Sequence, residues 1–246
     1  MNNSAFFEAV RKSGLFGSSL KQSHVDGLTA IVEEAERRDI PLRQLAYILA
    51  TAYHETAHTM LPVRETMASS DDRAIGILEA AWKSGKLKWV KTPYWRKDAD
   101  GKSWLGRGYV QLTHKSNYQR SGLSLGIDLV SNPDRAMEPR IAALIMFDGM
   151  LKGLFTGKKL SDYIDGIKAD YINARRIING TDKAELIAGY AIKFEWALKA
   201  GNYGTVTAVL PPIQLPPADP VPSAPVTSNI LSAIFSLVAA FLRGAK

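Results

Sequence analysis

The chain has 246 residues, of which 46% are hydrophobic and 22% charged, a composition typical of a soluble globular protein. It contains no cysteine, which excludes disulfides, Cys-ligated zinc, iron–sulfur clusters and thiol nucleophiles. Its formal net charge of +7 favours anionic partners, but does not distinguish nucleic acid, anionic lipid and anionic cell-wall polymer.

The first seventeen residues lack the order of basic, apolar and small-residue regions that defines a signal peptide. Phe6, Phe7 and Val10 alternate with Glu8 and Arg11, which predicts a short amphipathic helix. We therefore expect a cytoplasmic protein, unless another agent exports it or releases it to the periplasm or cell wall.

Helical periodicity dominates the first 200 residues. Apolar side chains recur at three- and four-residue steps in five further segments, 25–32, 42–53, 75–82, 141–151 and 187–198. The stretch from Leu87 to Thr113 differs, since it is rich in Trp and Tyr and contains Asp100-Gly101, a strong turn signal. The pattern predicts a mainly α-helical domain with one small β-hairpin.

The composition changes after Gly204. Residues 211–226 include seven prolines, which is typical of a stiff, extended linker. Of the thirteen residues from Ile230 to Leu242, only Ser232 and Ser236 are polar. This apolar segment is too short to span a bilayer, because a spanning helix needs about 20 apolar residues. We divide the chain into a catalytic domain (1–204), a linker (205–228) and an apolar helix (229–246). We expect that helix to contact a membrane; self-association, a partner helix or docking onto the domain are the alternatives.

The segment HETAH at 54–58 fits two kinds of site. As H-E-x-x-H it predicts two zinc-binding histidines and a water-activating glutamate. Only His24 and His114 remain as further histidines, and no downstream carboxylate stands in a distinctive third-ligand motif. A surface position for both histidines also fits the pattern.

The same glutamate also suits glycoside hydrolysis. Inversion at a sugar requires one carboxylic acid and a second carboxylate roughly 6.5–9.5 Å away. Glu55 is predicted to flank the apolar stripe of its helix, facing a cleft, and Glu65 follows beyond Pro62. A helix end followed by a turn can place two such groups on opposite sides of a cleft, facing each other.

A second motif, GRGYVQLTHKSNY, covers residues 106–118. Apolar and polar residues alternate in it, so Tyr109, Gln111 and Thr113 are predicted to share one face of a strand. An amide and a hydroxyl on that face could bind a sugar hydroxyl or hold a water molecule.

With this motif, the chain resembles glycoside hydrolase family 19, the chitinase and phage-type endolysin family. HET at 54–56, GRGYVQLTHKSNY at 106–118, NPD at 132–134 and RIING at 176–180 follow the family's order, over roughly residues 40–200. The resemblance implies a lysozyme-like, mainly helical fold with a small β-element beside the cleft. In plant chitinases two glycines follow the Asn of RIING; here Thr181 replaces the second of them.

The resemblance also implies roles for single residues. Glu55 corresponds to the general acid, Glu65 to the general base, with Glu79 as its rival, and Thr113 to the group that positions the attacking water. The implied sugar-contacting set is His54, Tyr109, Gln111, Asn117, Tyr118 and Asn179. No metal and no cofactor are expected.

Chitin and peptidoglycan share β-1,4-linked N-acetylhexosamines, so the motifs do not separate them. The absence of a signal peptide, the basic charge and the apolar tail favour an endolysin that cuts the glycan chains of bacterial peptidoglycan. Chitinase activity and, with less support, an HExxH metalloprotease are the alternatives, as is a wall-binding module without catalysis. We expect a monomer that binds no nucleic acid, because the basic residues are scattered.

Overall fold

A computed structural model describes residues 1–17 and 19–204. The linker and the apolar helix predicted at 205–228 and 229–246 lie outside the described residues. In the described part, no helix is both long and apolar enough to cross a bilayer.

The described chain is mainly α-helical, as predicted, with seven α-helices and one two-stranded sheet. The helices, in chain order, are α1 (Asn3–Lys12), α2 (Gln22–Arg37), α3 (Leu42–Glu55), α4 (Asp71–Lys83), α5 (Lys115–Leu125), α6 (Pro139–Lys152) and α7 (Ala184–Ala200). Short 3-10 turns cover Glu65–Met67, Pro133–Met137, Leu160–Asp162 and Asn173–Ile177. The N-terminal helix and the five predicted helical stripes correspond to α1, α2, α3, α4, α6 and α7. Helix α5 was not predicted, because its start lies in the motif that alternates like a strand.

The small β-element is present, but its pairing differs from the predicted hairpin. Strand β1 (Val63–Arg64) pairs antiparallel with β2 (Arg107–Gly108), in the register Val63 to Gly108 and Arg64 to Arg107. The turn at Asp100-Gly101 does form, since the Asp98 amide donates to the Lys102 carbonyl at 2.9 Å. The strand that follows this turn takes its partner from a segment more than 40 residues upstream, which no local pattern reveals.

Two hydrophobic cores divide the domain. The large lobe is built on α1, α2, α3, α6 and α7, with α3 at its centre and buried over most of its length. The small lobe comprises residues 68–105, whose core is formed by α4 and the segment after it: Ala68, Ala74, Leu78, Ala81, Leu87, Val90, Tyr94, Trp95 and Leu105.

The segment between Glu55 and Glu65 joins the two lobes. Helix α3 ends at Glu55, seven residues before Pro62, because Ala57, His58 and Met60 all adopt positive φ. Helix α2 packs directly against this segment at Gly27. A Cβ atom at that glycine would lie 1.9 Å from the Met60 carbonyl oxygen, so only glycine permits the approach.

Candidate active site

Glu55 lies at the end of α3 and is 6% exposed. Its Oε1 accepts a hydrogen bond from Arg175 Nη1 at 2.5 Å, and the Arg175 side chain is itself buried. Arg175 also donates from Nε to the Asp182 carbonyl at 3.0 Å. Removing either member would leave a buried charge without its counter-ion. The two residues therefore form a fixed charged unit within the large lobe.

The HETAH segment does not have the geometry of a metal motif. The helix ends at Glu55 and His58 has a φ of +71°, so His54 and His58 do not stand one helical turn apart. His58 instead stacks on Tyr53, with ring centroids 4.1 Å apart. His54 lies beside Tyr190. Burial lowers the pKa of both histidines. Within residues 1–17 and 19–204, no group of three or more metal-binding side chains is found.

Glu65 occupies the 3-10 turn that follows β1 and is 1% exposed. Tyr94 donates its hydroxyl to Oε1 at 2.6 Å, and the Gly106 amide donates to Oε2 at 2.7 Å. Burial raises the pKa of Glu65, although both of these hydrogen bonds act in the opposite direction. This carboxyl group is thus held by neutral donors, one from the small lobe and one from the residue just before β2.

Glu79, the rival of Glu65, lies in a different environment. It forms an ion pair with Arg96 at 2.7 Å and accepts a hydrogen bond from the Trp95 indole at 2.8 Å. The hydrogen bond from Arg96 lowers the pKa of Glu79. The contacts of Glu79 lie within the small lobe, whereas those of Glu65 include the Gly106 amide of the second motif.

The second motif folds as a turn and not as the predicted strand. Gln111 has a φ of +53°, and the Arg107 and Leu112 backbones hydrogen-bond to each other across the turn. The prediction that Tyr109, Gln111 and Thr113 share one strand face is therefore wrong. Gln111 donates from Nε2 to the Val63 carbonyl at 2.9 Å, which ties the turn to β1.

Two hydroxyl groups of this turn are buried without a hydrogen bond from a described residue. They belong to Tyr109 and Thr113, and Thr66 beside Glu65 has a third. A buried hydroxyl without a partner usually has a water molecule or ligand as its missing partner. Thr113 is 4% exposed and Tyr109 fully buried. The Thr113 hydroxyl therefore has free hydrogen-bonding capacity near the start of α5.

The other residues of the predicted sugar-contacting set have partners within the protein. Asn117 donates to the Thr113 carbonyl at 2.8 Å, and the Asn179 side chain accepts from the Gly180 amide at 2.9 Å. Tyr118 is fully buried, and its hydroxyl donates to the Leu105 carbonyl at 2.7 Å. The structure places Tyr118 in the core and not at an exposed surface, because its hydroxyl is needed to bind Leu105 and Arg107.

Arg107 is the centre of an ion network that sequence reasoning missed. Its side chain is fully buried and bonds to Asp71 and, at 2.8 Å, to Asp134. Arg64 pairs with the same two carboxylates, at 2.7 and 3.0 Å. The network fixes β1 against β2 and both strands against α4 and the Pro133–Met137 turn. It thereby sets the positions of Glu65 and Gly106, the neighbours of Arg64 and Arg107.

Strained backbone is concentrated around these elements. Seven of the ten non-glycine residues with positive φ in the described chain lie between Glu55 and α4 or in the 106–114 turn: Ala57, His58, Met60, Thr66, Met67, Gln111 and His114. Such conformations cost of order 1–3 kcal/mol each and gather at functional sites, where the surrounding structure enforces them.

Arg175 and Arg107 could have been suspected from their motifs, since Arg175 directly precedes RIING and Arg107 lies between the two glycines of GRG.

The mainly helical fold with its small two-stranded sheet is consistent with the lysozyme-like fold of glycoside hydrolases. The profile of glycoside hydrolase family 19, described as chitinase class I, matches residues 36–158, half of the chain. The chain belongs to this family.

Similar proteins come from plants. Chitinase 11 of Oryza sativa subsp. japonica is 52% identical over 40 residues, which is 16% of each chain. Chitinase 8 of the same plant is 37% identical over 92 residues, 37% of this chain and 28% of that protein. Inactive chitinase-like protein 1 of Hevea brasiliensis is 44% identical over 43 residues, 18% of this chain and 14% of its own. The chain thus covers less than a third of the length of these relatives, one of which is named inactive.

Proposed function

We propose that this protein hydrolyses β-1,4 glycosidic bonds between N-acetylhexosamines, with inversion, using Glu55 as general acid and Glu65 as general base. The observation that carries the proposal is the pair of buried carboxyl groups at the family's motif positions, one supported by each lobe. Family membership and the chitinases among the relatives support the same substrate chemistry.

Glu55 suits the acid because only one of its oxygens is engaged. Arg175 holds Oε1, and Oε2 accepts no hydrogen bond from any described residue. Oε2 would meet the leaving oxygen and carry the proton. The guanidinium then stabilises the carboxylate that proton transfer leaves behind. Arg175 is a positioning residue in this scheme.

Glu65 suits the base because two neutral donors fix its orientation in a water-poor environment. Burial raises its affinity for a proton, which strengthens it as a base towards water. The Thr113 hydroxyl, which has no hydrogen-bond partner among the described residues, would form one hydrogen bond with that water. Water attacks the anomeric carbon on the face opposite the leaving group, its proton passes to Glu65, and the leaving oxygen takes the proton of Glu55.

The substrate that we propose is bacterial peptidoglycan, and the biological role that of an endolysin. The net charge of +7 supports a polymer with carboxylates over neutral chitin. Mass spectrometry of the products from purified peptidoglycan would show which sugar carries the new reducing end. Cleavage of chitin oligomers with peptidoglycan left intact would select the chitinase alternative.

The roles of the two carboxyl groups can be tested with Glu55→Gln and Glu65→Gln, and with Glu185→Gln on the exposed start of α7 as a matched control. Both site variants should lose about a hundredfold to ten-thousandfold in kcat, the range for removal of a general acid or base, while the control keeps wild-type activity. An aryl glycoside with a good leaving group needs no protonation, so it should restore the rate of Glu55→Gln and leave Glu65→Gln slow. The reverse pattern would exchange the roles, and full activity of either variant would refute its role.

The proposal extends to location. We propose that the protein stays in the cytosol until its release and that residues 229–246 contact a membrane. Truncation after Thr227 should then leave hydrolysis of isolated wall unchanged and weaken liposome binding; equal liposome binding of both forms would contradict the membrane contact.

A further inference from the structure

The small lobe carries an exposed basic surface that the proposed mechanism does not use. Four lysines, Lys83, Lys86, Lys88 and Lys91, follow one another within nine residues, and all four are exposed. We call them the small-lobe lysines. Between Glu79 and Asp98 the chain contains six cationic residues and no acidic one.

The backbone that carries these lysines is anchored to the core of the small lobe. Leu87 and Val90, which alternate with the lysines, are buried in the core of the small lobe. The Lys86 amide donates to the Ala81 carbonyl at 2.9 Å, and the Trp82 indole donates to the Val90 carbonyl at 3.0 Å. The end of α4 and the turn after it therefore fix where the lysine side chains emerge, so one anchored segment presents all four charges.

The acidic residues of the same lobe do not neutralise these lysines. Each acid near them is already paired with another cation: Asp71 with Arg64 and Arg107, Asp72 with Lys97, Glu79 with Arg96, and Asp98 and Asp100 with Lys115. None of the four lysines forms an ion pair with a described residue; the charge of Lys83 acts on Glu79 only through space. Four positive charges thus remain for an external partner.

We propose that the small-lobe lysines bind the carboxylates of peptidoglycan and select it over a neutral glycan. This inference rests on the proposed function, because it assigns the lysines to the polymer that enters the same site. Tyr94, three residues beyond Lys91, donates to Glu65 from the same small core. A polymer held by the lysines therefore lies on the lobe whose Tyr94 binds the proposed base. Peptidoglycan bears free carboxylates on its stem peptides at regular intervals, whereas chitin bears none.

The test compares two variants that lose the same charge. The first replaces all four small-lobe lysines by Gln. The second replaces Lys21, Lys158, Lys159 and Lys193 by Gln; these lysines are also exposed and form no ion pair with a described residue. Initial rates are measured on purified peptidoglycan and on a neutral soluble chitin derivative, at salt concentrations from 20 mM to 0.5 M, with thermal unfolding as a check of folding.

We expect the first variant to lose about tenfold or more of the wild-type rate on peptidoglycan at low salt. The difference should shrink as salt screens the charges, and the rate on neutral chitin should not change. The control variant should remain close to wild type on both substrates. Equal loss by the two variants would show an effect of net charge alone, and equal loss on the two substrates would show damage to the site; either result overturns the proposal, as does no loss at all.

Sedimentation of Glu55→Gln with peptidoglycan separates this inference from the proposed activity. If the wild type hydrolyses neither polymer but the four substitutions still abolish sedimentation with peptidoglycan, the activity fails and the lysine site stands. Unchanged sedimentation, with binding lost only to DNA or to anionic vesicles, would assign the lysines to another partner and refute the proposal.

Discussion

The two carboxyl groups of the site are held in opposite ways. Glu55, in the large lobe, faces a buried guanidinium, and its position depends on an ion pair. Glu65, beside the small lobe, has neutral donors, a phenol and a backbone amide. Burial raises the pKa of Glu65, although both of its hydrogen-bond donors act in the opposite direction. The same functional group thus meets two different electrostatic environments in one small domain.

The comparison shows what each environment provides for the proposed chemistry. The Arg175 guanidinium would stabilise the negative charge that Glu55 carries after it has donated its proton. The surroundings of Glu65 prepare it to take up a proton from water. In the free protein, Glu55 thus lies beside a cation, whereas Glu65 accepts hydrogen bonds from two neutral donors.

Replacement of Arg175 should have the largest effect on this arrangement. In Arg175→Met, the buried Glu55 keeps no counter-ion, so we expect kcat to fall about a hundredfold or more. The free energy of unfolding should fall by about 3 kcal/mol. Steady-state kinetics and denaturant unfolding measure the two quantities.

A double variant separates the catalytic part of this effect from the structural part. Arg175→Met with Glu55→Gln should regain most of the lost stability, since no buried charge remains, but none of the activity. The control is Arg43→Met, which removes the half-exposed partner of Glu195 and should cost less than about 1 kcal/mol. A double variant as unstable as the single one would mean that Arg175 acts through packing and not through charge.

The connection between the lobes can be disturbed at Gly27, with a smaller expected effect. In Gly27→Ala, the new methyl group would collide with the Met60 carbonyl, since backbone atoms cannot move aside cheaply. We expect a loss of about 1–3 kcal/mol in stability. The shift of the 56–62 segment should also lower kcat, because this segment places Glu65 relative to Glu55.

The matched control is Gly76→Ala in the interior of α4, where an added Cβ meets nothing within 4 Å. There alanine should stabilise the protein by about 0.5–1 kcal/mol, because it favours the helix. Equal effects of the two substitutions would contradict the role given to the contact between Gly27 and Met60.

The sequence predicted those parts of the fold that depend on local periodicity. The stripes at 25–32 and 42–53 became α2 and α3 because their apolar faces pack in one core. The failures lie where distant contacts override local pattern. Residues 109–113 alternate like a strand, yet Gln111 is held in a left-handed turn by its bond to Val63, 48 residues away. Arg175 and Glu55 are 120 residues apart, so only the fold reveals their pairing.

The smallest predicted effect concerns Glu65 and pH. Because burial raises its folded-state pKa above the ordinary value of 4.5, the folded protein binds this proton more tightly than the unfolded chain. The corresponding contribution to stability is fully present below pH 4.5 and is lost as the pH rises through the folded-state pKa. Glu65→Gln does not titrate. Its stability relative to wild type should therefore improve from pH 4 to pH 8, as measured by urea unfolding at each pH.

Tyr94→Phe tests the sign of this argument from the other side. The Tyr94 hydroxyl stabilises the Glu65 anion, so its loss should raise the Glu65 pKa further and steepen the fall in stability above pH 4.5. Asp98, on the same lobe, makes a useful contrast, since hydrogen bonds lower its pKa to about 2. Its contribution is lost only as the pH falls below the ordinary aspartate range, so it does not overlap with that of Glu65. The contrary result would be a fall in stability above pH 4.5 that is identical in wild type, Glu65→Gln and Tyr94→Phe. Ionisation of Glu65 would then cost the folded protein nothing, and the contrast between the two carboxyl groups would be lost.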